Sequence, residues 1–210
     1  MDARNLSRPA NGTCDLGAFE LQVAAAPTIT SAISTTFTVG QAGTFTVIST
    51  GVPTATIATT STLSNGVALT DNHDGTATLS GTPAAGSGGI YPLTLTAANG
   101  VVPNASQSFT LTVNQAPTIT SAAPPTGKLN VAYTYTISAT GFPAGQFSLS
   151  SGTLPTGLTL AANGVLSGTP SALGSFTFII TVMNGVGQPV SQSYTIVITK
   201  NFSFLPFIRR

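Results

Sequence analysis

One run in this chain gathers side chains that could hold a cation: Asp71-Asn72-His73-Asp74-Gly75. Calcium takes roughly six to eight oxygen ligands, and Asp/Asn clusters at loop ends supply them. Asp71, Asn72 and Asp74 are therefore the candidate metal ligands, and calcium is the candidate cofactor. The same residues also read as a polar hairpin turn, because Asx-Gly is the strongest short hairpin signal. Residue counting favours the turn. From Leu21 to Thr199 the only Asp, Glu, Lys or Arg residues are Asp71, Asp74 and Lys128. Water would have to complete most of a calcium shell. General acid–base catalysis needs two titratable groups in one pocket. His73 is the sole histidine, so any Ser-His-Asp arrangement would have to be built around a turn residue. Cys14 is the sole cysteine, which excludes an intrachain disulfide, and no His or second Cys lies near it. Phosphate-cradling glycine loops and basic patches are missing from the sequence. The expectation is a chain with no catalytic residues, not an enzyme, and with no nucleic-acid partner. Sugar binding would need flat aromatics. The chain has no Trp, and Tyr91, Phe142 and Phe147 are the aromatics least committed to a core.

Composition narrows the class. Charged residues make up 5% of the chain, against roughly 25% in ordinary soluble domains. The net charge of +1 provides no field to steer an anionic partner. The hydrophobic fraction of 41% can build a core. No run approaches the roughly 18 apolar residues of a spanning helix, so no membrane span is expected. Thr, Ser, Asn and Gln must cover the wet surface. Twenty-two Gly and 14 Pro punctuate the chain and leave little room for helices. Thr and the β-branched residues favour a pleated backbone. All-β is the expected class.

The chain contains its own copy. Ala26-Pro27-Thr28-Ile29-Thr30-Ser31-Ala32 recurs as Ala116-Pro117-Thr118-Ile119-Thr120-Ser121-Ala122. Gly51-Val52-Pro53 answers to Gly141-Phe142-Pro143, and Leu79-Ser80-Gly81-Thr82-Pro83 to Leu166-Ser167-Gly168-Thr169-Pro170. Asn99-Gly100-Val101 returns as Asn184-Gly185-Val186, and Gln107-Ser108-Phe109 as Gln192-Ser193-Tyr194. The order is kept while the spacing drifts by a few residues, as loop-length changes between two copies of one fold would produce. Within each copy the period is two. Phe45 and Val47, Leu93 and Leu95, and Phe109, Leu111 and Val113 alternate with Thr. So do Phe176, Phe178, Ile180 and Val182, then Tyr194, Ile196 and Ile198, with Thr or Ser at most positions between. Strict alternation means one buried and one wet face, as in antiparallel sheets. A unit of this size suits a seven-stranded sandwich. The expected architecture is two tandem antiparallel β-sandwiches, residues 25–115 and 116–200. Asn114-Gln115-Ala116-Pro117 forms a junction too short for free flexing.

Leu154-Pro155-Thr156-Gly157-Leu158, then Gly164-Val165-Leu166-Ser167-Gly168-Thr169-Pro170, Gly174 and Asn184-Gly185, resembles the He-PIG family of immunoglobulin-like domains, related to cadherin-like domains. Asp74-Gly75-Thr76-Ala77-Thr78-Leu79-Ser80-Gly81-Thr82-Pro83 carries the same pattern in the first copy, which departs at Ser64, where Pro is usual. The resemblance implies immunoglobulin-like sandwiches in cell-surface or secreted proteins, repeated for spacing, adhesion or assembly, and no catalytic residues. Cadherin-type calcium sites draw acidic residues from the linker between modules, and Asn114-Gln115-Ala116-Pro117 has none.

Residues 1–24 differ from the repeats. Arg8-Pro9-Ala10-Asn11-Gly12-Thr13-Cys14-Asp15-Leu16-Gly17-Ala18-Phe19-Glu20 resembles the closing rung of exported right-handed parallel β-helix proteins. On that reading Met1 is an internal or misassigned start and most of a larger protein lies upstream. Residues 201–210 form a hydrophobic and then basic tail. Two functions remain. One is a non-catalytic stalk or adhesion module, extracellular or on the cell surface, with other surface proteins or glycans as partners. The other is an accessory module of a secreted enzyme that binds carbohydrate or calcium.

Overall fold

The computed structural model describes residues 23–201, and within them the chain is all-β, two immunoglobulin-like sandwiches in tandem. The β-helix resemblance, Cys14 and the tail from Phe202 onward lie outside the described residues. The first repeat supplies β1 (Ala25–Ile29), β2 (Ser34–Thr38), β3 (Gly43–Val52), β4 (Thr56–Thr59), β5 (Val67–Asp71), β6 (Thr76–Gly81), β7 (Gly89–Ala98) and most of β8 (Ala105–Ile119). The second supplies β9 (Gly127–Lys128), β10 (Tyr133–Thr136), β11 (Ala139–Phe142), β12 (Gln146–Gly152), β13 (Leu158–Leu160), β14 (Val165–Gly168), β15 (Gly174–Met183) and β16 (Val190–Thr199). In the first sandwich β1-β3-β6-β5 faces a sheet of β8, β7 and β4, with β2 added in parallel to β8. In the second, β10-β14-β13 and the β8–β11 pair face β12-β15-β16-β9. The long strand β3 of the first repeat is broken in the second at Ile137-Ser138, giving β10 and β11.

The period-two pattern lands where it must. Val47, Leu79, Leu93, Leu95, Phe109, Leu111 and Val113 close the first core. Ile137, Leu166, Phe178, Ile180, Tyr194, Ile196 and Ile198 close the second. The intervening Thr and Ser stand on the outer faces, so an uncharged hydroxyl surface replaces the usual charged one.

The sequence repeat is also a repeat of register. Ala25 pairs with Val52, Thr28 with Thr50 and Ile29 with Ser49. Gln115 pairs with Phe142, Thr118 with Thr140 and Ile119 with Ala139, with the register shift at the same place. β6 and β14 end at Gly81 and Gly168, ahead of Thr-Pro. Both glycines have positive φ, 148° and 141°, and a Cβ there would collide with the Gly66 and Gly157 carbonyl oxygens respectively. Only glycine meets both demands.

One core position is solved differently in the two copies. In the first, the Phe37 ring lies over Gly43, where a Cβ would sit 2.6 Å from the ring. In the second, Gly127 takes the parallel-strand place beside β16, and the Tyr133 ring covers it, 3.3 Å from a Cβ built on Gly127. Aromatic and glycine have exchanged places, so each module keeps one ring in the gap and close packing is preserved. The Tyr133 hydroxyl donates to the Pro125 carbonyl at 2.9 Å. Burial, and then the neighbouring Tyr135, raises the Tyr133 phenol above its ordinary range.

Candidate functional site

The β5–β6 hairpin carries Asp71, Asn72, His73 and Asp74. It reaches further than its counterpart in the second module. Leu69 pairs with Leu79 and the ladder continues to Asp71 and Ala77. In the second module the ladder stops at Leu160 and Leu166. The side chains of the extra turn point in different directions. The Asp71 Oδ1 accepts the Ile57 amide at 3.2 Å, and its other oxygen pairs with His73 Nδ1 at 2.9 Å. The Asp74 Oδ1 accepts the Thr76 amide at 2.9 Å and the Thr76 hydroxyl at 2.6 Å. That hydroxyl, and then that amide, hold the Asp74 carboxyl below the usual carboxylate range. The Asn72 amide donates to the Thr76 and Thr78 hydroxyls at 2.9 and 3.0 Å. Asp71 thus turns toward β4, while Asn72 and Asp74 serve the turn itself. Among the described residues no group of three or more His, Cys, Asp or Glu side chains lies together.

Asp71 has a second role. Ile57 lies on an edge strand, and an unpaired edge amide is a template for unwanted pairing. The Asp71 side chain covers that amide. In the second module the matching edge amide, that of Phe147, is taken at 2.9 Å by the backbone carbonyl of Ala162. With a backbone acceptor there, that module needs no carboxylate at the site. Between β4 and β5 a groove of about 360 Å³ opens to solvent. Its floor is Ile57, Leu63 and Leu69, and its rim carries Thr59, Ser61 and Asp71.

The three uncommitted aromatics do not form an exposed platform. Tyr91, Phe142 and Phe147 are all partly buried. The Tyr91 hydroxyl donates to the Ser87 carbonyl at 2.7 Å, and Phe147 packs on the second core.

The junction is the more developed feature. Asn114-Gln115-Ala116-Pro117 lies inside β8, which crosses from one sandwich to the other without a break. Val113 pairs with Gly89 and Asn114 with Thr38 in the first module, and Gln115 already pairs with Phe142 in the second. The Gln115 Oε1 accepts the Gly88 amide at 3.0 Å, reaching back to the first module. The Gln115 carbonyl accepts the Asn184 side-chain amide at 2.8 Å, and Asn184 also donates to the Pro143 carbonyl at 2.8 Å. A Cβ on Gly88 would stand 2.7 Å from the Gln115 Cβ and 3.0 Å from the Phe142 Cβ, so the backbones meet directly. Asn99 repeats the Asn184 clamp in the first module, donating to the Ala25 and Pro53 carbonyls at 2.8 Å each. Sequence reading found Asn99-Gly100-Val101 and Asn184-Gly185-Val186 only as a recurring motif. Recurrence was the available signal, and the role of the asparagine needed the fold. Gly88 gave no signal at all.

With this geometry in place, the comparisons with known proteins are consistent. Residues 116–199 match the He-PIG family, described as a putative Ig domain. No curated protein matches the chain. A titin Ig tandem superposes with a TM-score of 0.55 at 16% identity, over 85% of this chain and 99% of that one. A crystal structure of Dpr11 IG1 bound to DIP-gamma gives 0.57 at 14% identity, over 82% of this chain and 98% of the matched chain. At these identities the likeness concerns the fold. The chain also spans 31% of an endo-fucoidan hydrolase of glycoside hydrolase family 107, at 22% identity and a TM-score of 0.39.

Proposed function

We propose that this chain is a non-catalytic spacer and adhesion segment of a larger secreted or cell-surface protein, holding its neighbours at a fixed distance and angle. The observation that carries this reading is β8. A strand hydrogen-bonded in both sandwiches cannot hinge at the junction without breaking its ladder on one side. Gln115, Gly88 and Asn184 add side-chain bonds across and around the same point. A linker of Gly and Ser would behave as a flexible coil instead. The uncharged Thr/Ser surface fits a structural part.

Residual dipolar couplings test the spacer. Both modules should report one alignment tensor, and insertion of Gly-Ser-Gly after Asn114 should separate it into two. Independent tensors in the unaltered chain would remove the reading. Its location is checked by labelling intact cells of the source organism with an antibody against the two modules. Signal only after permeabilisation would overturn the surface assignment.

A further inference from the structure

The groove between β4 and β5 has the chemistry of a receptor for one kind of side chain. Its floor is aliphatic. Ile57 is buried, and Leu63 and Leu69 are partly buried and packed against the first core. At one end of that floor stands Asp71, the only carboxylate lining it and one of only two in residues 23–201. No Lys or Arg occurs between Leu21 and Gly127, so the carboxylate has no resident cation within its module. Its partner is His73, whose side chain is 82% exposed and therefore free to give way. The matching position of the second module is built differently. There a backbone carbonyl covers the edge amide, and no side-chain carboxylate is needed.

We propose that this groove docks a lysine side chain of a partner protein. Lysine lays its methylene stem along apolar surface and keeps its ammonium at the polar end. Ile57, Leu63 and Leu69 would take the stem, and Asp71 would take the ammonium in exchange for the exposed imidazole. Charge complementarity fixes the sign of the ligand, and the carboxylate geometry selects lysine over arginine. One Asp71 oxygen is already committed to the Ile57 amide, which leaves for a cation only the single oxygen now paired with His73. A guanidinium fork seeks two parallel oxygens, whereas an ammonium binds as a point charge. The remaining rim is hydroxyl. The Ser61 Oγ accepts the Thr94 amide at 3.0 Å and keeps its own proton for a further bond. The proposal adds a contact site to the adhesion reading, yet the groove stands whether or not the junction is stiff.

The test uses the whole chain, labelled with nitrogen-15, and two probes of equal stem length: Nα-acetyl-lysine N-methylamide and Nα-acetyl-norleucine N-methylamide. The lysine probe should move the amide signals of Ile57, Ser61 and Asp71 in a saturable way, and the norleucine probe should move them far less. Asp71→Asn keeps an acceptor for the Ile57 amide, so the fold is retained. It should weaken lysine binding by about tenfold or more, the usual worth of a hydrogen bond to a charged group. Asp74→Asn, whose carboxylate serves the turn, should leave binding unchanged. Equal response to both probes, unchanged affinity in Asp71→Asn, or no response to lysine would each overturn the proposal.

Discussion

At the scale of single residues, position within the alternation decides what a side chain does. Phe178 is 1% exposed and lies against Tyr194 at a tilt, with ring centroids 6.3 Å apart. Thr177, one residue earlier, faces outward and bonds the Thr195 hydroxyl at 2.9 Å in exposed surroundings. Phe178→Ala should cost about 3–5 kcal/mol, because it removes a large buried ring and leaves a cavity. Thr177→Ala should stay within about 0.5 kcal/mol, as surface changes usually do. Urea unfolding of the two variants measures both. Equal losses would mean that the strand register is off by one. The Phe37/Gly43 and Gly127/Tyr133 exchange follows the same volume logic across two strands, and no single-strand pattern could display it.

At the scale of elements, each sandwich has a complete set of strands with its own core, and the two share only β8. Residues 116–200 keep β8 from Ala116 onward and lose its first-module part, together with the Gln115 pairing to Phe142 and the bond from Asn184 to the Gln115 carbonyl. They are expected to fold alone and give a dispersed amide spectrum. A collapsed spectrum would show that β8 needs its first-module ladder to hold β11. The two hairpins illustrate how one element diverges between copies. The second module closes at Asn163-Gly164, with the Gly164 amide on the Ala161 carbonyl at 2.9 Å. The first extends past the same point and places Asp71 over β4.

At the scale of the whole molecule, charge is sparse and divided. Among residues 23–201 the first module carries Asp71 and Asp74, and Lys128 and Lys200 belong to the second. Calcium is the sharpest test of what that sparse charge can do. A specific site held at 100 times its dissociation constant would add about 2.7 kcal/mol. In a module of this size that would raise the melting temperature by roughly 4–8 °C. Asp71 and Asp74 are each engaged by separate donors, so no such rise is expected between chelator and millimolar calcium. A rise that disappears in the Asp71→Asn, Asp74→Asn double variant would establish Asp71, Asn72 and Asp74 as a metal site.

The sequence by itself determined the class, the duplication and the inward face of most strands. Alternation, Asx-Gly turns and Gly-Thr-Pro strand ends are local signals, written within a few residues of where they act. The repeat even carried register, since Ala25 with Val52 and Gln115 with Phe142 keep matching positions. Tertiary structure alone decided the rest. Only when β8 met partners on both sides did a four-residue linker become the middle of a strand. Only when β4 met the longer hairpin did Asp71 turn from a turn carboxylate into the cover of an edge amide and the wall of a groove. Those outcomes depend on pairings between residues far apart in the chain, and spacing along one strand carries no record of what will lie across from it.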